Sequence, residues 1–310
     1  MRRRRKAPPS PLPQRDGIDP VRVRLPEDPE GRWGTVYDHL AARYGDAVGR
    51  ERVAALFREG RIVSEKGPVG ADEPYGPGRY LWFHREFAAE TRVPFEIGIV
   101  HRDERLLIVD KPHFLATTPR GRHITETAVA RLRRELELPG LQPAHRLDRL
   151  TAGLLLCVVR PGDRGAYQTL FRDRLVRKEY EAIAPYDPGV ALPRTVRGRI
   201  VKERGEPAAR EAAGEPNSES RIELVEHRGG LGRYRLRPAT GRTHQLRVHM
   251  SGLGLPILDD PLYPVVQDPG PAPDDFSRPL QLLAKALEFT DPVTGEPYRF
   301  ESGLRLARWP

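Results

Sequence analysis

At 310 residues, 38% of them hydrophobic, the chain is long enough for one large domain and one small one, each with a buried core. Its 52 Lys and Arg against 43 Asp and Glu give a net charge of +9, which favours a polyanionic partner. A lone cysteine, Cys157, excludes an internal disulfide and a cysteine-based zinc site, and no apolar run reaches the roughly 18 residues a membrane span needs.

Residues 1–30 are rich in Pro, Arg and Asp and poor in apolar side chains, so they read as a mobile basic tail. Its first residues, Arg2 to Lys6, are followed by prolines rather than by the apolar core of a secretion signal, and a cytoplasmic protein is expected. From Thr35 the period becomes helical: Val36, Leu40 and Tyr44 make one stripe, and Val53, Leu56 and Phe57 a second before Gly60. Short strands follow at 61–63 and 80–84, separated by Gly and Pro, so residues 31–92 form a small α+β module.

Residues 93–310 read as a larger mixed α+β domain. Strands at 99–100 and 106–109 lead into Asp110-Lys111-Pro112, and Thr125 and Asp163 are the expected caps of two helices, the first carrying Val129, Leu132 and Leu136. Residues 176–184, 221–226 and 233–237 alternate as strands do, whereas 203–220 and 266–279 read as polar loops. Thr243 is placed to cap a helix that turns Leu246, Met250 and Leu253 inward.

The segment His145-Arg146-Leu147-Asp148-Arg149-Leu150-Thr151-Ala152-Gly153-Leu154-Leu155-Leu156 sets several charges directly before a long apolar strand. A turn with a surface ion pair, worth about 0 to 1 kcal/mol, would account for charges in general but not for this spelling. It resembles the HRLDxxTSGLLL motif of the RluA-type pseudouridine synthases, with Ala152 in place of Ser. Gly241-Arg242-Thr243-His244-Gln245-Leu246-Arg247-Val248-His249 resembles the family's GRTHQIRVH motif with one Leu for Ile exchange. Val176-Arg177-Lys178-Glu179-Tyr180 carries the family's tyrosine two residues after a lysine, and weaker matches surround Asp260 and Tyr263 and run from Leu282 to Gly295.

The resemblance covers about two thirds of the chain. It implies a mixed, largely antiparallel sheet with inserted helices and a central cleft, and an RNA uridine isomerase that needs no metal and no cofactor. By it, Asp148 is the catalytic carboxylate, Arg247 its charge partner and Tyr180 the aromatic group against the target uracil. Arg146 fills the space of an extruded base, while His145, Lys178, Arg242, His244 and Gln245 support or bind the substrate. The module at 31–92 is either an S4-like RNA-binding domain, as some members carry, or an embellishment of the catalytic domain. The expected partner is structured RNA, ribosomal slightly before transfer RNA, acted on by a monomer.

A carboxylate in a desolvated cleft needs a cation beside it to stay ionised, which is the physical reason to pair Asp148 with an arginine. The carboxylate either attacks ribose C1′ or removes a proton from C2′; the residues do not choose between these routes. A glycoside hydrolase would call for a second carboxylate to activate water, and these motifs hold no matching pair.

Overall fold

The computed structural model describes residues 7–267 and 275–310, and the chain divides into two compact units, Met1–Ala89 and Glu90–Pro310. The cluster Arg2–Lys6, and residues 268–274 of the segment expected to be a loop, lie outside the described residues.

In the first unit, strand β1 (Val21–Arg24) falls within what reads as a tail. Its V-R-V-R-L alternation buries Val23 and Leu25, and this period-2 signal is stronger than the surrounding composition. Thr35 then starts helix α1 (Val36–Val48) with a reciprocal cap: its Oγ1 accepts from the Asp38 amide and its own amide donates to the Asp38 carboxylate. Gly49, at φ 87°, ends α1 and precedes α2 (Arg50–Arg58). Strands β2 (Val63–Ser64), β3 (Gly67–Pro68) and β4 (Tyr80–Phe83) complete a sheet in the order β1-β4-β2-β3. Val23, Leu40, Phe57, Ile62 and Leu81 share its core.

The second unit begins where Glu90 fastens the chain: its carboxylate accepts from the backbone amides of Ile124, Thr125 and Glu126. Strands β5 (Gly98–Arg102) and β6 (Leu106–Lys111) precede α3 (Ala128–Glu135), β7 (Gln142–Pro143), β8 (Ala152–Val158) and α4 (Arg164–Arg172). Then come β9 (Arg177–Pro185), β10 (Arg194–Val201), β11 (Arg210–Ala212), β12 (Ser218–Arg228), β13 (Leu231–Pro238), α5 (Gln245–Gly252), β14 (Leu282–Thr290) and β15 (Pro297–Glu301).

These strands form one mixed sheet ordered β11-β10-β12-β13-β9-β14-β8-β6-β5, with β15 beside β14 and β7 beside β8. Pairing is antiparallel except at β8–β14, where Leu283 and Ala284 lie parallel to Ala152 and Gly153. Strand β8 is buried along its whole length, which explains its unbroken apolar run. Alternate residues of β6 and β8 feed two cores: Leu106, Ile108, Leu154 and Leu156 join Tyr167 and Leu170 of α4, while Leu107, Val109, Leu155 and Cys157 join Leu132 of α3. Helix α5 contributes Leu246 and Met250 to a third core against β9, β12 and β13.

Three expected caps resolve differently. Thr127, not Thr125, caps α3 by accepting from the Ala130 amide, because Thr125 is engaged by Glu90. Asp163 precedes α4 without a side-chain cap, and α5 starts from His244 in a left-handed conformation rather than from Thr243. Within 203–220, residues 210–212 form β11 and 218–220 open β12, since β10 supplies a partner on either side.

Candidate active site

Asp148 sits in the turn between β7 and β8, and that turn is held at several points. Thr117 Oγ1 donates to the Leu147 carbonyl at 2.8 Å and accepts from the Leu147 amide at 3.1 Å. The Asp148 carbonyl accepts from the Thr151 amide, and a His113 ring nitrogen lies 2.7 Å from the Leu150 carbonyl. Beneath the turn Lys111, fully buried, donates to the carbonyls of Pro112 and Leu115 at 2.8 Å and of Arg149 at 3.4 Å. Burial pushes the Lys111 amine down to about 7, against the pull of the Asp148 charge. The backbone that presents Asp148 is therefore fixed before any substrate arrives.

Arg247 projects from the first turn of α5 and is 2% exposed. Its Nε and Nη2 donate to the two oxygens of buried Asp260 at 2.7 and 2.6 Å, and its Nη1 lies 3.8 Å from an Asp148 oxygen. Burial by itself would weaken the guanidinium's charge. The hydrogen bonds to Asp260 and the carboxylates of Asp260 and Asp148 more than offset this and hold its pKa above the ordinary value. The Tyr263 ring lies under the same guanidinium at 5.2 Å.

Tyr263 also settles the state of His244. Its hydroxyl donates to the Ala209 carbonyl at 2.7 Å, so the His244 Nδ1 at 3.0 Å must be the donor to that oxygen. His244 Nε2 is then the nitrogen that faces Asp148, at 4.0 Å. Burial lowers the pKa of this imidazole, with Asp148 pulling the other way.

Tyr180, on β9 between β13 and β14, lines the same recess as Asp148, Arg247 and His244, which has a volume of about 110 Å³. Burial, aided by the Asp148 charge, pushes its phenol above the ordinary value and leaves the hydroxyl protonated at neutral pH. The recess opens into a cleft of about 620 Å³ whose walls include Arg120, Arg146, Arg174, Lys178 and Arg242, with Asp148 as the one lining carboxylate among the described residues. Lys178 donates to the Thr240 carbonyl at 3.0 Å, and burial, helped by Arg174, brings its amine down to about 8.

His145 stacks on Phe171 at 4.3 Å with an 18° interplanar angle, and its Nε2 accepts from the Leu156 amide. That bond makes Nδ1 the protonated nitrogen, and burial lowers the ring's pKa to about 3. Gln245 uses all its polar groups inside the protein, donating to the Glu219 carbonyl and Ser220 Oγ and accepting from Thr240 Oγ1 and the Arg242 amide. It shapes the Thr240–Arg242 turn along the recess wall. Arg242 is anchored by Nε to the Asn217 carbonyl.

The nine residues singled out by sequence thus all line this cleft or its recess. Asp260, Lys111, Thr117 and Phe171 complete the arrangement and were not among them. Asp110-Lys111, charged residues ending an apolar strand, was the one local signal for Lys111. Asp260 lies 13 residues from Arg247, and only the fold brings them together.

The sequence profile described as RNA pseudouridylate synthase matches residues 105–252. The chain is 32% identical over 221 residues to the dual-specificity RNA pseudouridine synthase RluA of Pasteurella multocida, covering 66% of this chain and 92% of that one. It is 28% identical over 297 residues to the ribosomal large subunit pseudouridine synthase D of Pseudomonas aeruginosa, covering 91% and 92%. Against human pseudouridylate synthase RPUSD2 it is 33% identical over 190 residues, 58% of this chain and a third (33%) of that protein's length. The solved structure of human RNA pseudouridylate synthase domain containing 1 superimposes with a TM-score of 0.52 at 23% identity, over 70% of this chain and 93% of that one, which supports the shared fold. The chain belongs to the RNA pseudouridine synthases, an isomerase family, in its RluA branch.

Proposed function

We propose that this protein converts a uridine in structured RNA to pseudouridine, with Asp148 as the carboxylate that acts on the ribose. The observation that carries this is the recess itself: one carboxylate, one buried arginine 3.8 Å from it and one protonated tyrosine face a single small space. The reaction breaks the bond from uracil N1 to C1′, turns the base and joins C5 to C1′. The C5 proton leaves, N1 gains one, and no electrons are exchanged. Asp148 either attacks C1′ or takes the C2′ proton, and both routes use the same anion in the same place. Arg247 steadies that anion without leaving Asp260, and Tyr180 offers an aromatic face and a hydroxyl to the uracil ring.

Before reaction the uridine must leave its stack, at a cost of a few kcal/mol. Arg146, exposed on the cleft wall two residues before Asp148, is suited to fill the vacated space, since a planar guanidinium stacks on bases and binds phosphate. All the groups invoked come from one chain, so a monomer suffices. Ribosomal RNA is the favoured substrate, because the relative named for the large ribosomal subunit matches over 91% of the chain, a span that takes in most of the first unit as well as the second. Mapping pseudouridines in ribosomal and transfer RNA from cells with and without the protein tests this. A missing ribosomal pseudouridine is the expected result, and unchanged maps in both RNA classes would refute it.

A further inference from the structure

Beside the cleft lies a second groove of about 590 Å³, and the two share Arg174, Lys178 and Ala239 along their common edge. Five cations, Arg174, Arg177, Lys178, Arg237 and Arg299, line it against two carboxylates, Glu179 and Glu288. The imbalance has a definite origin in the sheet. Glu288 on β14 stands directly opposite Arg177 on β9 and Arg299 on β15, at 3.3 and 4.0 Å, so one anion is shared by two cations. On the adjoining strands the signs are closer to balance, Arg221, Arg235 and Arg237 being met by Glu179 and Glu223. The guanidinium of Arg174, where cleft and groove meet, has no hydrogen-bond or ion-pair partner among the described residues. The groove's small apolar residues, Val176, Ala239 and Ala286, leave room between the cationic side chains.

We infer that this groove carries the phosphodiester backbone of the RNA strand flanking the target uridine, led out of the cleft past Arg174 and along the row Arg177–Glu288–Arg299. The inference rests on the reading of the cleft as the place of uridine isomerisation. A surface that only confers solubility would intersperse its charges; an excess of arginine continuous with the reaction cleft lowers the potential energy of a polyanion along one direction. The planar guanidinium fork is also pre-organised, so less side-chain freedom is lost for each hydrogen bond made to phosphate.

The test is equilibrium binding of two labelled oligouridylates, one of about 5 nucleotides that occupies the cleft alone and one of about 20 that overruns it. The parent protein binds the longer one more tightly. In the double variant Arg177→Glu/Arg299→Glu, whose side chains are 84% and 66% exposed and so carry little of the fold, affinity for the longer RNA falls about tenfold or more while the shorter one binds as before. The slope of log affinity against log salt for the longer RNA flattens by about 1.4, two phosphate contacts at about 0.7 each. Glu288→Gln acts in the opposite sense, tightening the longer RNA by a few-fold, and decides the matter even where the double variant is poorly folded. Equal losses for both RNAs, or a length advantage that survives the charge reversal, overturn the inference. Uridine conversion by the parent is scored separately by nucleoside analysis of structured ribosomal and transfer RNA: conversion with an unaffected length advantage refutes the groove alone, and length-dependent binding without conversion of either RNA refutes the proposed function alone.

Discussion

Arg247 directs two nitrogens at Asp260, at 2.7 and 2.6 Å, and only its third at Asp148, at 3.8 Å. The partner that fixes the arginine is therefore not the carboxylate it faces across the recess. Asp260→Asn keeps the shape but leaves the Arg247 charge buried without its counter-ion, which typically destabilises by about 3–5 kcal/mol. The melting temperature should fall by roughly 6–20 °C, and the single-turnover rate on RNA should drop further than affinity does. Arg247→Lys should recover the charge but not the two-pronged contact, and with it only part of the rate. Parental melting and rate in Asp260→Asn would show that Arg247 needs no such anchor.

Gly153, the second residue of β8, holds φ at 107°, and a β-carbon there would lie 2.3 Å from the Ala284 carbonyl oxygen, at the parallel β8–β14 junction. Neither strand can yield, since both are buried in the sheet. Gly153→Ala should cost about 3 kcal/mol or more from strain plus overlap, read by urea denaturation. A cost below about 1 kcal/mol would mean the junction is slack.

His145 predicts the direction of acid sensitivity. Burial, aided by the Lys178 charge, lowers its pKa to about 3 in the folded state, whereas an unfolded histidine titrates near pH 6.5. Between those values the unfolded chain binds the extra proton, so this contribution to stability is complete above about pH 6.5 and is lost as the pH falls toward 3. Urea midpoints measured from pH 7 down to about 4 should decline, and less steeply in His145→Gln, which has no imidazole to protonate. Identical slopes in the two proteins would contradict the buried neutral ring.

Arg146→Ala should weaken conversion of a uridine inside a stem far more than of one in an unpaired oligonucleotide, since only the former needs a group to fill the gap left by the base. Comparing kcat/KM on the two RNAs gives the answer. An equal loss on both would place Arg146 in the chemistry rather than in base extrusion.

The two contiguous runs singled out by their spelling, His145 to Leu156 and Gly241 to His249, bring Asp148 and Arg247 to one recess. The two helices within 36–58 are legible in their apolar stripes, and the apolar runs at 106–109 and 154–156 mark the strands whose observed bounds are 106–111 and 152–158. What escaped was non-local or locally masked. Asp260 acquires its role only through a tertiary pair, and Thr125 was a reasonable cap until Glu90, 35 residues away, engaged it. Strand β1 was hidden by the prolines and charges around its alternating valines.

Asp148 is one third exposed at the mouth of a recess in which Arg247 and His244 are already engaged within the protein. Asp148→Asn removes the charge while keeping nearly the same shape. RNA labelled with tritium at uridine C5 loses its label only when C5 is joined to C1′, so label release under single-turnover conditions measures the reaction and not binding. The variant should bind the RNA within a few-fold of the parent and release no tritium above background. Release at a substantial fraction of the parental rate would show that another group performs the step assigned to Asp148.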